Sequence, residues 1–137
     1  MSLKHTLLKR IENKEIIVGV IGLGYVGLPL AVEKAKAGYR TIGFDIQTKK
    51  VDMVNRGENY IGDILDADLS ELVNKKMLSA TTDYSFIKDV DFIAICVPTP
   101  LDEYQQPDIS YVKNSAIEIS KHLKRGSIVV LESTTYP

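Results

Sequence analysis

An apolar, β-branched segment that runs directly into three spaced glycines constrains the fold of this chain more than any other feature. The segment covers residues 16–21, and Gly22, Gly24 and Gly27 follow it in the pattern G-x-G-x-x-G. At such a junction the first glycine permits a tight strand-to-helix turn, the second leaves room for a pyrophosphate, and the third lets the helix pack close to the sheet. A helix N-terminus placed there offers free N–H groups to phosphates. The junction therefore predicts a strand–helix unit that binds a dinucleotide.

An acidic residue at the end of the next apolar run completes this pattern. Asp45 lies about 20 residues after the glycines, where a carboxylate accepts hydrogen bonds from an adenosine ribose. A carboxylate repels the 2′-phosphate of NADP, and neither Ile46 nor Gln47 supplies an arginine to bind one, so the expected cofactor is NAD. Lys49 and Lys50 follow within one turn, and each has two interpretations, a contact to the adenosine side or a solvated charge on an exposed helix face.

The size and charge of the chain agree with a single cytoplasmic domain. Its 137 residues suffice for one domain with a sizeable core, and 17 basic against 18 acidic residues argue against a nucleic-acid or acidic-membrane partner. No apolar run approaches the ~20 residues of a membrane span, and no signal peptide is expected. The single cysteine, Cys96, suits a reducing compartment. His5 and His122 lie far apart in the sequence, and no metal site is expected.

Alternating strand and helix patterns predict an α/β fold, a Rossmann-type doubly wound parallel sheet with helices on both faces. The predicted strands cover residues 16–21, 41–44, 80–82, 92–97 and 128–131. The predicted helices cover residues 3–11, 25–37, 47–55, 68–76 and 110–122, the last of them capped by Asp108 or Ser110. Residues 1–14 are expected to form an N-terminal helical extension to a nucleotide-binding domain of residues 15–137.

Two strand ends carry residues that suggest chemistry. Ligands of open parallel sheets bind beyond the carboxyl ends of the strands. Residues 96–100 (C-V-P-T-P) leave one such end, and residues 132–137 (E-S-T-T-Y-P) leave another. Prolines there hold the backbone rigid while hydroxyl groups point into the crevice. Ordinary Pro/Thr turns explain the same pattern, so both interpretations stay open.

Four motifs occur in order along the chain: G-L-G-Y-V-G-L-P-L at 22–30, G-F-D at 43–45, C-V-P-T-P at 96–100 and L-E-S-T-T-Y-P at 131–137. Together they resemble the UDP-glucose/GDP-mannose dehydrogenase family. The segment E-N-Y-I at 58–61 and the E-S-T-T-Y-P ending look most similar to the UDP-N-acetylglucosamine and N-acetylgalactosamine 6-dehydrogenases within it.

The resemblance implies a four-electron oxidation of a nucleotide sugar, here a UDP-sugar. The C6 alcohol becomes a carboxylate through two successive hydride transfers to NAD. In such enzymes a cysteine thiolate forms a thiohemiacetal, which is oxidised to a thioester and released by water.

The glycine motif and the resemblance together predict which residues of this chain contact NAD. They are Gly22, Gly24, Tyr25, Val26, Gly27, Asp45, Lys50, Val97, Pro98, Thr99, Ser133 and Thr134. By the resemblance, residues 24–26 cradle the pyrophosphate, Lys50 helps to hold the adenosine end, and residues 97–99 line the cofactor channel. Thr134 matches the threonine that orders a catalytic water near the nicotinamide, and it is the one catalytic residue predicted here. Glu132 is a further candidate neighbour.

The family's catalytic cysteine has no counterpart in this sequence. Full-length members carry a central helix, which supplies the dimer contact, and a second Rossmann-like domain with the motif G-x-C-x-P-K-D, which is absent here. Cys96 lies inside an apolar strand, and because a buried thiol forms little thiolate, a structural role is favoured for it. We expect this chain to bind NAD without turning over sugar by itself. The UDP-sugar would be bound mainly by the absent domain, and the full-length protein would be a homodimer or larger.

Two other classes of protein share part of the pattern. The 6-phosphogluconate and 3-hydroxyacyl-CoA dehydrogenases carry the first motif, but they explain neither residues 96–100 nor residues 132–137. The alternative that is not an enzyme is a stand-alone NAD-binding regulatory module. That interpretation predicts a closed, polar surface at the carboxyl ends of the strands.

Overall fold

Five parallel strands form the single sheet of the computed structural model, which describes residues 2–62, 66–106 and 108–132. They are β1 (Ile17–Ile21), β2 (Arg40–Phe44), β3 (Leu78–Thr81), β4 (Phe92–Ile95) and β5 (Ile128–Leu131). Their order across the sheet is β3-β2-β1-β4-β5, and all four pairings are parallel. This order confirms the predicted Rossmann-type sheet.

Helices cover both faces of the sheet, as predicted. They are α1 (Leu3–Glu12), α2 (Gly27–Lys36), α3 (Thr48–Asn55), α4 (Asp66–Asn74) and α5 (Ser110–Ser120), with a 3₁₀ helix at Tyr84–Asp89. Val18 and Val20 of β1 point into a core that α2, α3 and α4 complete. Ile21 and Phe44 belong to a second core, which the 3₁₀ helix and α5 cover. Within the described ranges, every helix is too short or too polar to cross a membrane.

The structure differs from the predicted elements mainly in the segment between β3 and β4. The 3₁₀ helix there was not predicted, because its six residues are too few to show a helical period. Asp83 precedes it and accepts a hydrogen bond from the Ser85 N–H at 2.9 Å, while Ile87 is fully buried. The strand β3 begins at Leu78, two residues before its predicted start, where it pairs with Thr41.

The helix α1 lies at the amino ends of the strands, opposite the glycine turn. No residue of α1 is buried, and Arg10 attaches it through two hydrogen bonds to the carboxylate of Asp91, at 2.8 and 3.1 Å. Asp91 precedes β4 and also accepts a hydrogen bond from the Ile17 N–H at the start of β1, at 2.9 Å. A second contact joins α1 to the turn before β2, where the Tyr39 hydroxyl donates to the Ile11 carbonyl.

Candidate functional site

Two adjoining cavities open at the carboxyl ends of the central strands, with volumes of about 460 and 280 Å³. The chain leaves β1 toward β2 on one side, and β4 lies on the other side, so the cavities occupy the point where the strand order reverses. Open α/β sheets bind ligands at this switch point. The residues that line both cavities are Gly22, Asp45, Lys50, Val97 and Pro98. This shared lining makes the cavities two halves of one crevice.

The three glycines of the first turn differ in what surrounds them. Gly22 has a φ of +93°, and a Cβ added to it would lie 2.9 Å from the Cys96 carbonyl oxygen. A Cβ on Gly27 would overlap the Gly22 carbonyl oxygen. A Cβ on Gly24 would meet nothing within 4 Å, because that position faces the smaller cavity. Gly22 and Gly27 are therefore required by the fold, whereas Gly24 leaves space open.

The carboxylate of Asp45 is held rigidly between the two cavities. Its Oδ2 accepts a hydrogen bond from the Leu23 N–H, and its Oδ1 accepts one from the Gln47 N–H, each at 2.8 Å. The residue is only 7% exposed, and it lines both cavities. Because a carboxylate accepts about four hydrogen bonds, two backbone donors leave it capacity for a ligand hydroxyl.

The wall of the larger cavity includes residues that the sequence analysis did not select. They are Ile46, Gln47, Thr82, Tyr84, Tyr111, Asn114, Ser115 and Glu118. Tyr84 packs edge-to-face on Phe44 with ring centroids 5.5 Å apart, and burial raises the pKa of its hydroxyl to about 12, helped by the charges of Asp45 and Glu118. One signal was available for Tyr111 and Asn114, because a helix that follows β4 begins at the same edge as the carboxyl end of that strand.

The smaller cavity brings together the ends of β1, β4 and β5. Cys96, Thr99 and Glu132 line it beside the glycine turn. Cys96 is 7% exposed, and burial raises the pKa of its thiol to about 11, with a further contribution from the charge of Glu132. A thiol in these surroundings forms almost no thiolate near neutral pH, which agrees with the structural role expected for it.

Comparison with known proteins identifies the family of this chain. The family described as "UDP-glucose/GDP-mannose dehydrogenase family, NAD binding domain" matches residues 16–137. The chain belongs to this family. The sequence resemblance is thereby confirmed, and the part of the family represented here is its NAD-binding domain.

Curated relatives and solved structures agree with this assignment. The chain is 42% identical over 125 residues to a UDP-N-acetyl-D-glucosamine 6-dehydrogenase of Pseudomonas aeruginosa, covering 90% of this chain and 28% of that protein. It is 41% identical over 119 residues to an NDP-N-acetyl-D-galactosaminuronic acid dehydrogenase of Ralstonia nicotianae, covering 86% of this chain and 27% of that protein. A crystal structure of an NDP-N-acetyl-D-galactosaminuronic acid dehydrogenase from Methanosarcina mazei superposes with a TM-score of 0.84 at 34% identity, covering 100% of this chain and 31% of that one. The chain thus spans less than a third of the length of each of these relatives.

The crevice of this NAD-binding domain fits the cofactor that the family binds. The open space at Gly24 leaves room for a pyrophosphate next to the backbone. The helix α2 begins just after it, at Gly27, and no side chain caps its N-terminus. The Leu28 and Leu30 N–H groups already donate to backbone carbonyls and Pro29 has no N–H, so the donors for an anion here would be the backbone N–H groups of residues 24–27. The anchored carboxylate of Asp45 suits a ribose hydroxyl and opposes a 2′-phosphate.

Ten of the twelve residues predicted to contact NAD lie in the described ranges, and all but one of them line the crevice. The exception is Gly27, which lies behind the turn against Gly22. Lys50 lines both cavities and Lys49 lines neither of them, so the structure favours Lys50 for the adenosine side. Ser133 and Thr134 lie outside the described residues, and their assignment to the site stays a prediction.

Proposed function

We propose that this chain is the cofactor-binding half of a nucleotide-sugar 6-dehydrogenase that oxidises the C6 alcohol of a UDP-N-acetylhexosamine to a uronate. The observation that carries the cofactor part is the Asp45 carboxylate, which the Leu23 N–H holds at the junction of the two cavities. The substrate class rests on relatives at about 40% identity, which are dehydrogenases of N-acetylated sugar nucleotides.

The residues of this chain would bind and orient the cofactor. Backbone groups of residues 24–26 would receive the pyrophosphate, and Asp45 would accept hydrogen bonds from the adenosine ribose, with Lys50 beside it. Bound in this crevice, NAD would supply the hydride acceptor for both oxidation steps at C6. Residues 97–99 would line the channel toward the reacting end, together with Ser133, and Thr134 would order the water that takes part in the chemistry.

The nucleophile of the proposed reaction would lie outside this chain. Cys96 is the one cysteine of the sequence, and it is buried with a thiol pKa of about 11. A covalent thioester route needs an accessible thiolate, which Cys96 does not provide. The chain alone would therefore bind NAD and leave the sugar unchanged.

A stand-alone NAD-binding module remains the second candidate, and the surface of the last strand argues against it. Ile128, Val129 and Leu131 of β5 are 39 to 44% exposed, and Ile117 on α5 is 47% exposed. The module hypothesis predicts a polar surface at the carboxyl ends of the strands, and the exposed Leu131 lies at that end of β5. This exposure supports a protein in which further polypeptide covers β5.

The proposal extends to the cellular location and the oligomeric state of the full-length enzyme. A single buried cysteine supports a cytoplasmic location, and the family resemblance supports a homodimer or larger assembly in the full-length protein. Size-exclusion chromatography with light scattering on the full-length protein would test the second point directly.

The first experiment is a calorimetric titration of the 137-residue chain with NAD and NADP. Preferential binding of NAD is expected, because the carboxylate of Asp45 repels a 2′-phosphate. Equal affinity for both dinucleotides would remove Asp45 from the ribose site. The module hypothesis is tested on the gene: a reading frame that continues past codon 137 into G-x-C-x-P-K-D excludes it.

A further inference from the structure

Tyr60 reaches the glycine turn from a distant part of the chain. Its hydroxyl donates a hydrogen bond of 2.6 Å to the carbonyl oxygen of Leu23, the residue between Gly22 and Gly24. The N–H of the same Leu23 donates to Asp45. Both polar backbone groups of Leu23 are therefore bonded to side chains from outside the turn, and the Leu23 side chain is fully buried in the core.

The segment that carries Tyr60 is itself anchored. Asn59 accepts a hydrogen bond from the Ile61 N–H through Oδ1 at 2.7 Å, which closes a tight turn around Tyr60. Ile61 is 4% exposed and belongs to the core under α2 and α4, and Tyr60 packs against that core. Packing against the core and the turn at Asn59 thus hold the Tyr60 ring in place. Its hydroxyl is therefore kept in position to donate to the Leu23 carbonyl.

The geometry of the peptide bond extends this contact to the cofactor side of the turn. The Leu23 carbonyl and the Gly24 N–H belong to one planar trans peptide, in which they point in opposite directions. A donor that holds the carbonyl therefore fixes the direction of the Gly24 N–H. The flanking peptides are held by the Leu23 N–H on Asp45 and by the Leu28 N–H on the Gly24 carbonyl. Gly24 has no side chain and no neighbour that a Cβ would meet within 4 Å, so steric contacts at Gly24 do not oppose rotation of the peptide between them. Rotating it would turn a carbonyl oxygen toward a bound phosphate, which is repulsive.

We propose that Tyr60 is a positioning residue of the dinucleotide site: its hydroxyl holds the Leu23–Gly24 peptide so that the Gly24 N–H faces the pyrophosphate. This inference rests on the proposed function, because it takes the space at Gly24 to be the pyrophosphate position. It adds a residue that neither the glycine motif nor the family resemblance assigned to the site. The phenol must stay protonated to donate, and burial keeps its pKa well above the usual value, with the charge of Asp45 adding to the effect.

The test compares Tyr60→Phe with the matched variant Tyr39→Phe. Tyr39 is also partly buried and also donates to a backbone carbonyl, that of Ile11, but it lies at the far end of the sheet from the crevice. NAD affinity is measured by calorimetry, and adenosine, which has no phosphate, is titrated by NMR. Tyr60→Phe is expected to weaken NAD about fivefold to tenfold and leave adenosine within about twofold of wild type. Tyr39→Phe is expected to change neither affinity.

The amide signal of Gly24 gives a direct second readout in ¹H–¹⁵N spectra. We expect this signal to shift or broaden in Tyr60→Phe and to stay in place in Tyr39→Phe. A wild-type NAD affinity in Tyr60→Phe with an unmoved Gly24 signal would overturn the inference and leave the proposed function standing. Equal weakening of NAD and adenosine would also overturn it, since that result is expected of a general structural role. Failure of the wild-type chain to bind NAD would overturn the proposed function and this inference together.

Discussion

The Leu23 N–H donates a hydrogen bond to Oδ2 of Asp45 over 2.8 Å, although 22 positions separate the two residues in the sequence. The turn after β1 and the acid after β2 are thus one hydrogen-bonded unit. The proposed ribose-binding carboxylate and the proposed phosphate-binding turn keep their relative position before any ligand arrives, so binding does not have to order them. Preorganisation of this kind raises affinity by lowering the entropy that binding costs.

Replacing Asp45 with alanine should affect both NAD binding and stability. The ribose loses a charged acceptor, which weakens NAD by about 1–3 kcal/mol. The buried Leu23 N–H also loses its partner, which lowers the free energy of unfolding by about 1–3 kcal/mol. Calorimetry and urea unfolding measure the two effects. Asp52→Ala, on the exposed side of α3, is the control and should change neither quantity. An unchanged NAD affinity in Asp45→Ala would exclude this residue from the site.

Gly24→Val should abolish NAD binding while the protein still folds. Gly24 does not require a positive φ, and a Cβ there has no neighbour within 4 Å, so the free protein tolerates the side chain. The isopropyl group occupies the pyrophosphate space, and we expect affinity to fall by about 100-fold or more. Gly62 is equally unhindered and lies outside the crevice lining, so Gly62→Val is the matched control. Thermal unfolding verifies folding, and a folded Gly24→Val that binds NAD normally contradicts the placement of the phosphate.

Cys96 should resist alkylation in the folded protein. Its thiol pKa of about 11 means that only about one thiol in a thousand is ionised at pH 8. Burial reduces the rate further, since the residue is 7% exposed. Labelling with iodoacetamide at pH 8, followed by mass spectrometry, should be slow in the native state and fast in urea. The native rate should rise as pH approaches 11 while the fold persists. Rapid native labelling at pH 8 would contradict the buried placement.

The ion pair under α1 should make stability depend on acid pH. Burial by itself would raise the pKa of Asp91, but hydrogen bonds from Lys124, the Ile17 N–H and Arg10 outweigh it, so the pKa lies below its usual value. The pKa is lower in the folded than in the unfolded state. The resulting stabilisation is therefore present above the unfolded value of about 3.9 and is lost as pH falls through the folded value.

Asp91→Asn tests this stabilisation. Asp91 is 2% exposed, and removing its charge leaves Arg10 and Lys124 without their partner. The free energy of unfolding should fall by about 2–4 kcal/mol at pH 7, with a smaller difference from wild type at pH 3. Denaturant unfolding at both pH values measures this. The control is Asp89→Asn, at an exposed position nearby. An Asp91→Asn effect as small as that of Asp89→Asn would show that the ion pairs of Asp91 contribute little.

Most of the fold was predictable because its signals are local. Each of the five strands lies within two residues of its predicted start, since an apolar run and the turn residues beside it are read from adjacent positions. The helix α2 was predicted to begin at residue 25, but it begins at Gly27 because residues 24–26 form the turn itself. The 3₁₀ helix was missed because six residues carry no helical period of their own.

A residue of the candidate site could be predicted only where its type and its spacing from a motif indicate its role. The residue types and spacing of Gly22, Gly24 and Asp45 are sufficient to predict their roles, and all three line the crevice. Tyr84 and Tyr111 enter the same cavity from elements far apart in the sequence. The position of its helix after β4 offered a signal for Tyr111, but no local pattern marks Tyr84. The sequence did not assign Tyr60 to the site for a similar reason, because its hydrogen-bond partner Leu23 is 37 positions away.

By itself, the sequence determined the class of fold, the dinucleotide motif and the preference for NAD, because steric freedom at glycine, apolar periodicity and the sign of one charge are properties of neighbouring residues. Only the tertiary structure decided which side chains complete the crevice and which hold it in place. Tyr60 meets Leu23, and Asp91 gathers Arg10 and Lys124, because the parallel sheet brings the ends of sequence-distant elements to a common edge. Contacts of that kind depend on the path of the whole chain, and no local pattern encodes them.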